Sequence, residues 1–139
     1  QIGAELSKVP GVAAMTDVTG FGLLGHLLEL CEGSGVRAVI DPVHVPIIEA
    51  ARTYAQMGCV PGGTHRNFES YGAKIGDIGE EERFLWCDPQ TSGGLLVAVE
   101  PEAVPQVQEI GREYALALAP FGELFPAGDE PTLITVKSR

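Results

Sequence analysis

Thr16-Asp17-Val18-Thr19-Gly20-Phe21-Gly22-Leu23-Leu24-Gly25-His26-Leu27 sets a carboxylate and two hydroxyls ahead of a glycine-rich turn and an apolar helical stripe. Gly20 and Gly22 allow a tight turn and a close ligand approach, and a helix starting there aims its free N–H groups and positive dipole end at that turn. Phosphate is the natural guest of such a site. Asp17 would repel a bare phosphate, so a shared site calls for a divalent cation between them. Mg²⁺ is commonly held by one or two carboxylates plus phosphate oxygens. Asp17 is therefore a candidate metal ligand, and Thr19, Gly20 and Gly22 are candidate contacts for the phosphate-bearing ligand. A plainer reading of the same residues has Asp17 or Thr19 capping the helix.

The stretch also supports a rival chemistry. Gly20-x-Gly22-x-x-Gly25 follows the apolar run Val12–Met15, and Asp41 ends a second run, Val36–Ile40, at the distance of a ribose-binding acid. On spacing alone this is a dinucleotide-binding fingerprint of an oxidoreductase. The loop-rich stretch from Gly58 to Gly79 breaks the βα alternation that such a fold needs.

Two further segments carry polar chemistry. In Pro61-Gly62-Gly63-Thr64-His65-Arg66-Asn67-Phe68, Thr64 and Arg66 could meet a phosphate, or Arg66 could sit in a salt bridge. In Asp88-Pro89-Gln90-Thr91-Ser92-Gly93-Gly94, the roles of Thr91 and Ser92 stay open. His26, at the edge of its helix's apolar stripe, and His44 read as packed or solvent-facing rather than as ligands. Cys31, Cys59 and Cys87 form no Cys-x-x-Cys pair and are odd in number, which argues against a disulfide framework or a zinc site. Cys31 falls on a core face, and Cys59 and Cys87 fall in loops.

The elements that must position these groups follow from periodicity and breakers. A helix tail at Ala4–Lys8 stops at Pro10 and Gly11, and a buried strand at Val12–Thr16 leads into the glycine turn. A helix from Leu23 to Glu32 buries Leu23, Leu27, Leu30 and Cys31, with Leu24 and Leu28 widening the stripe and Gly25, Glu29 and Glu32 opposite. Val36–Ile40 reads as a strand, and Val45–Met57 as a helix entered through Pro46. A short helix ends near Gly72, and Glu80-Glu81-Glu82 starts another. Leu95–Val99 is a strand, Pro101 opens a helix with Val107, Ile110, Tyr114 and Leu118 buried, and Gly122–Phe125 and Leu133–Val136 close the chain as strands. This element order predicts an α+β fold, a mixed β-sheet covered by helices.

With 139 residues, the chain is expected to form a single domain, 1–139. The net charge of −10 disfavours nucleic acid and anionic membranes as partners, and implies a local cation wherever phosphate binds. The lack of a spanning run or secretory signal points to the cytoplasm, and an opening on Gln1 rather than Met reads as a piece of a longer protein.

Taken together and in register, Thr16–Leu27, Pro61–Asn67 and Asp88–Leu96 closely resemble the carboxy-terminal domain of the selenophosphate synthetase family, over essentially the whole chain. That family is similar to aminoimidazole ribonucleotide synthetase, formylglycinamidine ribonucleotide synthetase, thiamine-monophosphate kinase and a hydrogenase-maturation protein, all two-domain, ATP-using enzymes. The resemblance implies Mg²⁺-dependent conversion of selenide, ATP and water to selenophosphate, AMP and phosphate, with ATP in a cleft between the domains. It implies that Asp17 is a metal ligand. It places the catalytic cysteine or selenocysteine, its lysine and most ATP contacts in an amino-terminal domain, so no catalytic residue is expected in this chain. The implied partners are that amino-terminal domain, selenide and ATP, with a homodimer at full length.

Overall fold

The computed structural model describes residues 1–138. The helices are α1 (Ile2–Leu6), α2 (Gly22–Ser34), α3 (Glu49–Gln56), α4 (Gly62–Tyr71), α5 (Glu80–Trp86) and α6 (Val104–Glu113). The strands are β1 (Val12–Asp17), β2 (Val36–Ile40), β3 (Leu95–Val99), β4 (Gly122–Pro126) and β5 (Ile134–Val136). The α+β class is as expected from the sequence, but the strands divide between two sheets. β1 pairs antiparallel with β3, while β2 runs between antiparallel β4 and parallel β5. The two closing strands are thus neighbours of β2 and not of each other.

The β1–β3 sheet separates two apolar clusters. On one side Val12, Val97 and Val99 pack with Leu6, Val9, Ala103 and Val107 from α1, α6 and their flanks. On the other, Leu96 joins the main core with Leu24, Leu27, Leu28 and Cys31 of α2, Ala38 and Ile40 of β2, Trp86 and Ile134. A register shift between Val12 and Ala14 puts a bulge at the start of β1. Below it, the alternation along β1 sends successive side chains to opposite faces, and its last residue, Asp17, lies opposite Leu95.

Several boundaries differ from the periodicity, each for a local reason. α2 runs through Ser34 and stops at Gly35, whose φ of 65° supplies the left-handed cap that bonds back to Cys31 O. Gly25 does not face outward. It is buried, and a Cβ there would lie 2.5 Å from Phe21 Cβ and 2.9 Å from Tyr71 Cε1, so the absent side chain makes room for the tyrosine ring. α3 begins at Glu49 rather than Val45, because Pro46 pushes the residue before it out of the helical region. α6 ends at Glu113, leaving Tyr114 exposed. Leu118 still reaches the smaller cluster by a chain reversal that seats it against Gly111. Cys87 is fully buried at the end of α5 and not in an open loop.

The topology overturns the dinucleotide reading. A nucleotide-binding βαβ unit needs two parallel strands of one sheet on either side of the glycine-led helix. Here β1 and β2 lie in different sheets, and β1 pairs antiparallel with β3. Asp41 makes a local turn, accepting from Val43 N–H at 3.1 Å and pairing with His44 at 3.1 Å. The Val43 N–H, ahead of His44, holds its carboxyl below the usual carboxylate range.

Candidate functional site

The three polar segments noted in the sequence come together at one end of the β1–β3 sheet. Val18 N–H donates to Gly94 O at 2.9 Å, Gly93 N–H donates to Val18 O at 2.9 Å, and Gln90 N–H donates to Thr19 O at 3.0 Å. The first and third segments are therefore joined along their backbones just beyond the strands. Between them lies an open cleft of about 250 Å³, lined by Asp17, Val18, Thr19, Thr91, Ser92, Gly93, Gly94 and Leu95.

The second segment supports the cleft from behind. Asn67 Nδ2 donates to Gly20 O and Cys87 O, both at 2.9 Å, fastening α4 to the glycine turn and to the end of α5 at once. Thr64 is fully buried and its hydroxyl donates to Asp88 Oδ1 at 3.2 Å, while Gln90 Nε2 donates to Asp88 Oδ2 at 2.6 Å. Asp88 thus orients the third segment, and Thr64 has no free hydroxyl for a phosphate. Tyr71 O–H donates to Phe21 O at 2.7 Å. Burial pushes the Tyr71 phenol well above its ordinary range, and burial likewise raises the Cys87 thiol beside it.

The glycines of these segments divide into two kinds. Gly22 has φ 71°, and a Cβ there would lie 2.7 Å from both Cys87 C and Trp86 O. Its N–H is already bonded to Thr19 O at 3.0 Å, so Gly22 packs the turn onto α5 and offers a ligand no free donor. A Cβ at Gly63 would lie 2.9 Å from Pro89 Cγ, and one at Gly93 2.8 Å from Val18 O. Gly20 has open space on its Cβ side and no positive φ. Nothing inside the described residues requires a glycine there, and Gly20 does not line the cleft.

Asp17 is exposed at the rim of the cleft, and its carboxylate has no hydrogen bond or ion pair among the described residues. It does not cap α2, whose N-cap is Phe21 with no side-chain bond. Thr19 does not cap it either, because its hydroxyl lies 3.1 Å from His26 Nε2. Among the described residues no group of three His, Cys, Asp or Glu side chains could hold a metal by itself. Asp17 is thus a single unengaged carboxylate at the rim, and a lone carboxylate could hold a hard cation only together with ligands from outside the described residues. Arg66 is exposed and forms no ion pair among the described residues, and it does not line the cleft.

Sequence reasoning did not single out Asn67, Tyr71 or Asp88 as site supports. Asn67 and Asp88 lay inside segments chosen for other residues, and Tyr71 stood at a helix end with no pattern to mark it. The available signal was the excess of glycines in all three segments, since backbones that touch need partners without side chains.

The family model for AIR synthase related protein, C-terminal domain, matches residues 2–132. Similar curated proteins include the selenide, water dikinases of Haemophilus influenzae strain 86-028NP, 52% identical over 98% of this chain and 39% of that protein, and of Yersinia pseudotuberculosis serotype I, 53% identical over 96% and 38%. That of Aeromonas salmonicida is 55% identical over 89% of this chain and 36% of its own length. The chain spans about two fifths of the length of these relatives. Among solved structures, the crystal structure of E. coli HypE matches with a TM-score of 0.54 at 21% identity, covering 90% of this chain and 32% of that one, a likeness of fold.

Proposed function

The chain belongs to the AIR synthase related protein family, matching its C-terminal domain, and on that premise we propose that it is the carboxy-terminal domain of a selenide, water dikinase. In this reading the longer protein is a cytoplasmic enzyme that converts selenide, ATP and water to selenophosphate, AMP and phosphate. The amino-terminal domain supplies the nucleophile and closes the ATP site. The observation that carries the proposal is the meeting of the first and third segments at one cleft, braced from behind by the second, with the unengaged Asp17 carboxylate at its rim. The relatives named for this activity are more than half identical over nearly all of the chain.

Asp17 would hold Mg²⁺, which when bound screens phosphate charge and fixes the phosphates in line for transfer. Thr19 contacts the ligand from this wall, Gly20 leaves open space at the turn beside it, and Gly22 keeps the turn seated. With a net charge of −10 on the chain, such a cation would ease the approach of a triphosphate. Full-length pairing into a homodimer belongs to the same reading.

The decisive experiment is Asp17→Asn in the longer protein. Loss of about 3 kcal/mol of transition-state stabilisation would slow AMP formation roughly a hundredfold. The melting temperature should hold, because the carboxylate has no partner in the fold. Near-normal activity of the variant at every Mg²⁺ concentration would refute the ligand role.

A further inference from the structure

Three side chains beside the cleft form a continuous relay that the proposed function leaves unused. Thr19 Oγ1 lies 3.1 Å from His26 Nε2, and His26 Nδ1 lies 2.9 Å from Glu29 Oε2. His26 and Glu29 are three residues apart on α2 and share a face. Thr19 meets them from the turn that enters the helix. His26 is 8% exposed, and the Phe21 ring leans on it at a centroid distance of 5.6 Å. Glu29 reaches the imidazole from the solvent side.

For a neutral imidazole, the donor and acceptor roles follow from the far end of the relay. A carboxylate only accepts, so the proton on His26 faces Glu29 from Nδ1. In the neutral ring Nε2 is then a lone pair, and the Thr19 hydroxyl must give it its one proton. The effect is felt in the cleft, which Thr19 lines. With its proton turned inward, Thr19 offers a ligand only oxygen lone pairs. A threonine free to rotate could instead donate to a phosphate oxygen.

We propose that Glu29 and His26 are positioning residues that lock Thr19 as a hydrogen-bond acceptor for a water on the divalent cation at Asp17. This rests on the reading of Asp17 given above. Asp17 and Thr19 stand two residues apart and both line the cleft, so a cation held by the first would bring its waters near the second.

Two measurements test it. In the full chain labelled with ¹⁵N at histidine, long-range ¹H–¹⁵N NMR should show His26 protonated at Nδ1 alone, and Glu29→Ala should move the proton towards Nε2. In the longer enzyme, Thr19→Val should raise the Mg²⁺ concentration for half-maximal AMP formation about tenfold, and Thr19→Ser should restore it. Glu29→Ala should raise it severalfold alone and add nothing in the Thr19→Val background. If Thr19→Val does not fold, the exposed Glu29→Ala variant carries the same Mg²⁺ comparison. A proton on Nε2 or on both ring nitrogens in the wild type, an unchanged Mg²⁺ requirement, or additive effects of the two substitutions would overturn the proposal. AMP formation indifferent to Mg²⁺ in the wild type would instead remove the cation from Asp17, and with it this water, while the Nδ1 proton stood.

Discussion

Gly22 gives the sharpest test of how the cleft is built. Replacing it by alanine adds one methyl group at a residue with φ 71°, and that conformation alone costs an L-residue about 1–2 kcal/mol. The new Cβ would also lie 2.7 Å from Cys87 C and Trp86 O and 3.0 Å from Asp88 O. All three are backbone atoms, so no side chain can swing aside, and forced shifts in a packed site cost about 1–3 kcal/mol more. The sum, roughly 2–5 kcal/mol, is a large share of the ~5–15 kcal/mol that holds an ordinary domain together. Gly20→Ala is the internal control, since nothing stands in its way and its backbone is unstrained. Urea unfolding of both variants, followed by far-UV circular dichroism, should show Gly22→Ala with a much lower midpoint and Gly20→Ala within about 0.5 kcal/mol of the parent. A Gly22→Ala protein within 1 kcal/mol of wild type would refute the argument that this glycine exists for packing.

Asn67→Asp keeps the shape but turns an acceptor towards two carbonyl oxygens in place of the donating amide, so thermal unfolding should report a loss of about 2 kcal/mol. Iodoacetamide at neutral pH should modify the exposed Cys59 and spare the buried Cys31 and Cys87, as read by mass spectrometry of the native chain. Burial, ahead of the nearby Glu32, pushes the Cys31 thiol up to about 11 from an ordinary 9.0. Its folded-state value is therefore above its unfolded one, so the stability it contributes is intact below pH 9 and is lost as pH rises towards 11. Urea midpoints measured across that window should fall by up to ~1.4 kcal/mol per pH unit per such group, and a flat profile would contradict the burial.

Most of the local structure was readable because it is written in short-range chemistry. The apolar stripe of α2, the β-branched run of β2 and the apolar run of β3 each declare themselves within a few residues. Asp17 and Thr19 were both found to line the cleft, and Thr91 and Ser92 proved to form its other wall. What periodicity could not carry was the division into two sheets, because the pairing of β1 with β3 depends on contacts far apart in the chain. The same limit hid Gly25, whose outward place on a helical wheel gave no hint of the Tyr71 ring against it. Thr64 looked like a phosphate contact because a threonine after two glycines is common to exposed loops and to buried helix starts. Only its burial against Asp88 separates the two. Cys87 was misplaced for a similar reason, since the residue that caps a short helix reads as loop when its partners are distant.

The backbone bonds from Thr19 to Gln90 and from Val18 to Gly93 and Gly94 also set when the cleft can exist. Every chain that has been synthesised only as far as α5 contains Asp17, Thr19 and the whole of α2, yet lacks the opposite wall. Closing that contact brings together positions 19 and 90, a non-local step of the kind that slows folding far more than helix formation does. A ligand that needs both walls of the cleft would therefore bind late in the life of each molecule. A ligand that bridges both walls would act selectively on the finished fold, stabilising it by mass action without speeding the steps before the two segments meet.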